Sequence, residues 1–290
     1  MPLRLLVTAD LHYNHPRSVP LADGVIGRMN AAGGDVLLVV GDTAVADGDA
    51  LEQCLSKFAF AGPKLFVAGN HELWTRRGDS LGLFEEELPR RVRALGWHWL
   101  ETEPFVAGDV AIVGSVGWYD FSFAQPSLGI PTRFYAAKLS PGAAIRLAPS
   151  FDHLRPEADD VPPHAREVVA RWNDGKFVHL GRTDEVFLRE RVAQLAMSLE
   201  QVWSARQVVA AVHHLPFCEL LPPPHSAQWD FAKAYLGSAA LGAALLAAPN
   251  VTHCFCGHSH FPTEATVGQV RAVNVGSGYR WKTFHSVDVG

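Results

Sequence analysis

The chain has 290 residues, 48% of them hydrophobic and 19% charged, with 25 Lys and Arg against 30 Asp and Glu. Apolar content this high excludes an intrinsically disordered chain, and the net charge of -5 argues against a general nucleic-acid coat protein, which needs a basic footprint. An anionic small substrate stays open, because a site can be locally positive on an acidic protein.

In chain order, Leu3–Ala9 is the first apolar, β-branched run and reads as a buried strand. Leu21, Val25 and Met29 then recur at i+4, and Gly33-Gly34 stops that helix. Val36–Val40 and Lys64–Ala68 are the next two buried strands. Asp79 or Ser80 can cap a helix that carries Phe84, Leu88, Val92 and Leu95 on one face. His98–Glu101 and Val110–Val116 read as further strands. From Trp118 to Arg182 the chain is rich in Pro, Phe and Trp without a sustained period. This stretch reads as an insertion or lid with some helix over Pro163–Trp172, not as a second core domain. Thr183 can cap a helix striped by Leu188, Val192, Leu195 and Leu199, which leads into a strand over Val208–Val212. Residues 230–248 predict an Ala-rich helix ended by Pro249, and Val251–Cys256, Glu264–Val267 and Val270–Val275 predict the last strands. Alternating strands and helices imply an α/β fold with parallel pairing: one domain over 1–290, interrupted at about 118–182.

Cys54, Cys218, Cys254 and Cys256 are too few and too scattered for a disulfide framework, and they read as free thiols. The opening MPLRLLVTAD lacks the apolar core of a signal peptide. The longest apolar stretch, Leu236–Ala248, falls short of the roughly 20 residues that span a bilayer. A cytoplasmic protein without membrane contact is expected, and its oligomeric state stays open.

Fourteen histidines set the functional question. Five of these strands are buried runs, Leu3–Ala9, Val36–Val40, Lys64–Ala68, Val208–Val212 and Val251–Cys256, and they end in Asp10-Leu11-His12, Gly41-Asp42, Gly69-Asn70-His71-Glu72, His213-His214 and Gly257-His258-Ser259-His260. Ligands of open α/β sheets bind outside the carboxyl ends of the strands, so these ends converge on one rim. Singly, each fragment is ordinary turn chemistry; in order, each after a buried run, they point to metal. Carboxylate, carboxamide and imidazole without thiolate suit Mn, Fe, Co or Zn. Asp10, His12, Asp42, Asn70, His213, His258 and His260 are too many ligands for one tetrahedral ion. Two ions about 3.5–4 Å apart, sharing a carboxylate, would use them all.

This ordered set resembles the calcineurin-like metallophosphoesterases, as does Asn274-x-Gly276-Ser277 near the end. The resemblance reaches from residue 10 to 277 apart from roughly 118–182, and it implies a four-layer α/β/β/α sandwich with a dinuclear centre between its sheets. It implies one metal held by Asp10, His12 and His260, another by Asn70, His213 and His258, with Asp42 bridging, and His71 as the catalytic histidine. Many members continue Gly-Asp-x-x-Asp, whereas Val45 stands at the last position here.

The expected function is a metal-dependent phosphoester hydrolase in which activated water attacks phosphorus in line, with a small-molecule phosphodiester favoured as substrate. A phosphomonoesterase or protein phosphatase is the alternative, and a non-catalytic metal-binding scaffold is less favoured. Long nucleic acid is disfavoured by charge without being ruled out. Candidate substrate contacts are Tyr13, Arg17, Trp74, Tyr119 and His214, the last a neighbour of the ligand rather than the ligand itself. Glu72 reads equally as a partner of the site's histidines or as a surface residue.

Overall fold

The computed structural model describes residues 2–147, 150–154 and 160–290; the rest of the expected insertion, 148–149 and 155–159, lies outside the described residues. Its first sheet contains β1 (Leu3–Thr8), β2 (Val36–Val40), β3 (Lys64–Val67) and β4 (His98–Trp99). Next along the chain come β5 (Phe105–Ala107), β6 (Val110–Ser115), β7 (Gln207–Val212), β8 (Val251–Cys256), β9 (Thr263–Val267) and β10 (Val270–Asn274). These six make the second sheet, and β11 (His285–Val289) returns to the first.

The first sheet runs β11-β1-β2-β3-β4, parallel except for β11. The second runs β5-β6-β7-β8-β10-β9, with a parallel centre and antiparallel edges at β5 and β9. Successive strand side chains point to opposite faces, so each buried run serves two interfaces. Leu5, Val7, Leu38, Val40, Leu65 and Val67 meet Ile112, Val209, Ala211, Phe255 and Val273 in a cluster between the sheets. The intervening Leu6, Leu37, Val39 and Phe66, with Ala111, Val113, Val208 and Ala210 of the second sheet, pack in the cluster that includes the helices. Helix, sheet, sheet and helix therefore form the four expected layers.

A polar contact links the sheets near the functional rim. Glu101, fully buried just beyond β4, accepts the N–H of Ala68 past β3 (3.2 Å) and that of Val116 past β6 (2.8 Å). The predicted strand over His98–Glu101 stops at Trp99 for this reason: residues 100 and 101 turn toward the gap between sheets.

Two helix expectations need correction. Residues 230–248 do not form one helix: helical turns over Ala227–Ala232 and Lys233–Tyr235 stop, and Ala239–Ala247 starts anew from a Ser238 cap. Between them Leu236 and Ser238 bond the backbone of Leu215 (2.8 and 3.2 Å). A Cβ on Gly237 would lie 1.9 Å from the Leu215 carbonyl oxygen, so only glycine permits this crossing. The helix predicted over Pro163–Trp172 is confined to Pro163–Arg166, because Val168 and Ala170 instead give their carbonyls to Gly142 and Ser140 (both 3.0 Å). Asp79 does cap its helix at Gly82 (2.8 Å), and the run through Ala94 contains a π turn over Leu83–Glu87. Among the described residues no helix is long and apolar enough to cross a membrane.

Candidate metal centre

The strand ends meet at one rim, as parallel pairing requires. Asp10 and His12 follow β1, Asp42 follows β2, Asn70 and His71 follow β3, His213 follows β7, and His258 and His260 follow β8. Backbone bonds join neighbouring turns: Asp10 N–H to the Gly41 carbonyl (3.0 Å) and His12 N–H to that of Asp42 (2.9 Å). The turns are tight enough to strain the chain. Asp10, His12, Asp42, His258 and His260 all adopt positive φ, between 45° and 67°, where a Cβ crowds the following carbonyl. Gly69 allows the closest approach, since a Cβ there would lie 2.2 Å from Asp42 Oδ1.

Two groups of ligand atoms result. Asp10, His12, Asp42 and His260 form one and Asp42, His213 and His258 the other, with the atoms of each within 4.8 Å of one another. Asp42 belongs to both. Its Oδ1 lies 3.3 Å from His213 Nε2 and its Oδ2 lies 3.9 Å from His12 Nε2. His12 and His260 face each other with Nε2 atoms 2.8 Å apart, and His260 Nε2 is 3.5 Å from Asp10 Oδ1.

Unpaired atoms test whether metal fits. Asn70 Oδ1, His213 Nε2 and His258 Nδ1 are buried without a hydrogen-bond partner. The opposite atom of each side chain is held: Asn70 Nδ2 by Asp174 Oδ1 (2.9 Å), His213 Nδ1 by the Val40 carbonyl (2.9 Å), His258 Nε2 by that of Tyr235 (3.2 Å). Asn70 Oδ1 and His258 Nδ1 are thus orphaned acceptors, costly unless a cation completes them, whereas His213 Nε2 faces Asp42 Oδ1 at 3.3 Å and would give up its proton to metal. Burial, followed by the charge of His213, pushes the His258 imidazole down to about 3, leaving it neutral. Burial and His71 likewise hold His12 well below its usual value. At His213 burial also works downward, but Asp42 overcomes it and holds the group up to about 9. The donor set suits two ions.

His71 donates its backbone N–H to Asp42 Oδ1 (2.9 Å) and keeps its ring Nε2 3.8 Å from Asp42 Oδ2. A cavity of about 370 Å³ opens here, lined by Asp42, Asn70, His71, His258 and His260, and walled by Trp74, Trp172, Trp229, Leu236, Tyr279 and Arg171. Of the five candidate substrate contacts, Trp74 lines it. The other four do not. Tyr13 turns away to donate to Asp23 (2.8 Å), and Arg17 is exposed outside the lining. Tyr119 is buried behind the wall with its hydroxyl on Asp174 (3.0 Å), and His214 is fully buried with Nδ1 on the Val116 carbonyl (2.7 Å).

Glu72 is settled as an interior residue. Its carboxylate accepts the N–H groups of Asp42 (2.9 Å), Thr43 (2.6 Å), Ala44 (3.0 Å) and Gly69 (2.7 Å), fastening the second and third turns together. Burial, and then Asp42, push this carboxyl up to about 7. Asn274 shapes the last turn by donating to the Gly257 carbonyl (2.7 Å) and Ser259 Oγ (3.0 Å). Asp174, Trp172, Trp229 and Tyr279 were not singled out from the sequence; they come from loops and short helices, Asp174–Phe177 and Ala227–Ala232, too brief for a period to mark which side faces inward.

Residues 3–262 match the family model of calcineurin-like phosphoesterases. The chain belongs to that family. As a calcineurin-like phosphoesterase it is a hydrolase of phosphoesters, and its paired His/Asp groups are of the dinuclear-metal type. The fold agrees. A phosphopantetheinyl hydrolase from Mycobacterium tuberculosis superposes with TM-score 0.68 at 23% identity, covering 95% of this chain and 89% of the other. A dimetal phosphatase from Danio rerio gives TM-score 0.55 at 14% identity, covering 100% and 93%. No match was found among curated proteins.

Proposed function

We propose that this calcineurin-like phosphoesterase hydrolyses a small-molecule phosphodiester, with Asp10, His12 and His260 holding one metal ion, Asn70, His213 and His258 a second, and Asp42 shared. The supporting observation is the position of the cavity: about 370 Å³ is the size of a small ligand, and Asp42 and His71 lie in its lining. Two divalent ions there would supply activated water and charge neutralisation for phosphate. His71 lines the cavity beside Asp42, its Nε2 3.8 Å from Asp42 Oδ2, placed to hydrogen-bond or protonate the leaving oxygen. Trp74, Trp172, Trp229 and Tyr279 would hold the apolar body of the substrate, and Arg171 at the mouth a further anionic group.

A phosphomonoester is the second reading, because the same ligand set serves either bond. Mono- and bis(4-nitrophenyl) phosphate, assayed side by side with Mn²⁺, separate the two: preference for the monoester sinks the diester reading. The Mycobacterium tuberculosis structure is named for hydrolysis of a phosphopantetheinyl group, so such an ester belongs in the panel. The four cysteines are unpaired, which supports residence in the cytoplasm. Recovery of the protein outside the cytoplasmic fraction of its cells would refute that placement.

A further inference from the structure

Asp174 opens the short helix Asp174–Phe177 in the stretch between β6 and β7, and its side chain is fully buried beside the centre. It accepts four hydrogen bonds, two on each oxygen. Oδ1 takes Asn70 Nδ2 (2.9 Å) and Trp74 Nε1 (2.7 Å), while Oδ2 takes Trp172 Nε1 (2.7 Å) and the Tyr119 hydroxyl (3.0 Å). An ionised carboxylate only accepts, so it admits only the NH₂ end of the Asn70 amide. The carbonyl oxygen of Asn70 is thereby left on the other side, buried and unpaired. An isolated amide could present either end; this one cannot turn.

We infer that Asp174 is a positioning residue that fixes the Asn70 carbonyl oxygen toward metal and sets the two indoles that wall the cavity beside it. The inference rests on the dinuclear reading above. The segment expected as an insertion or lid thus supplies support to the metal centre itself. Loss of such an orienting partner characteristically weakens metal binding about 10- to 100-fold.

Calorimetric titration of the metal-free full-length protein with Mn²⁺ tests this. The parent should bind two ions, and Asp174→Asn should weaken one of them at least tenfold while the other stays within about twofold. Asn70→Asp alone should also weaken it, because two carboxylates then face each other, although a carboxylate is ordinarily the better ligand. The double variant Asn70→Asp/Asp174→Asn should recover most of that loss, which generic damage to packing would not do. Two Mn²⁺ bound by Asp174→Asn within twofold of the parent overturns the inference. Should Asp174→Asn not fold, Asn70→Asp decides alone: binding as tight as the parent's overturns it. A parent that binds no Mn²⁺ defeats the dinuclear reading as well, whereas a parent with two sites and an unaffected Asp174→Asn defeats only the role of Asp174.

Discussion

The indole of Trp74 lies over the imidazole of His71, with ring centroids 3.8 Å apart and planes inclined by 22°. Phe177 continues the stack behind Trp74 at 5.1 Å, and Asp174 holds the indole N–H. His71 is therefore oriented by an aromatic face, with no hydrogen-bond partner on Nδ1. Stacked pairs contribute about 0.5–1.5 kcal/mol beyond area burial. Trp74→Leu should lower kcat by about tenfold, equivalent to ~1.4 kcal/mol, while both metal ions remain bound. Steady-state kinetics with metal analysis checks both halves.

His71→Ala should leave metal content intact and reduce turnover by roughly 10²–10⁴, the usual contribution of a positioned acid–base group. Unchanged turnover of the variant would remove His71 from the mechanism.

Glu72→Gln bears on the architecture. Its replacement keeps one acceptor oxygen where four backbone N–H groups converge. At about 1–3 kcal/mol for each donor left unsatisfied, a loss of roughly 2–6 kcal/mol is expected. Differential scanning calorimetry of the metal-free protein would show it as a fall in Tm, and an unchanged Tm would contradict the buried network.

Glu101 sets a pH dependence. Burial pushes its carboxyl from a usual 4.5 up to about 7, opposed by the N–H groups of Val116 and Ala68. A raised carboxyl favours the folded state fully below pH 4.5 and loses that contribution as pH rises through 7, roughly 3 kcal/mol in all. Glu101→Gln does not titrate, so the stability of the parent relative to this variant should decline between pH 4.5 and 7. Urea unfolding across that range measures it; a difference that rises with pH would reverse the assignment.

The strained turns yield a comparison of two inactive variants. His260 has φ of 56°, which costs a non-glycine residue about 1–2 kcal/mol. Metal-free His260→Gly should therefore unfold at higher denaturant than metal-free His260→Ala, although glycine ordinarily loses more entropy on folding. The opposite order would mean that the backbone relaxes once the side chain is gone.

The sequence was most legible where one physical rule decided the outcome. Runs such as Val36–Val40 are apolar on both faces because two layers bury them, and the turn residues after them stand out against that background. Leucines and alanines over 230–248 suggested continuous helix, but a long-range crossing at Leu215 broke it, and no local preference reports such a partner. β11 was missed because His285 and Asp288 interrupt its apolar residues at a sheet edge. Tyr13 follows the first motif and Tyr119 opens the expected insertion, yet neither lines the cavity, because their hydroxyls are drawn to Asp23 and Asp174.

Five residues of the centre occupy backbone conformations that their side chains resist. Evolution without demand for catalysis would find its cheapest gains in stability at these positions. A laboratory selection for heat resistance alone should enrich glycine or asparagine at 10, 12, 42, 258 and 260, producing sturdier proteins that no longer hold metal. Stability screens on this scaffold therefore need an activity requirement from the first round.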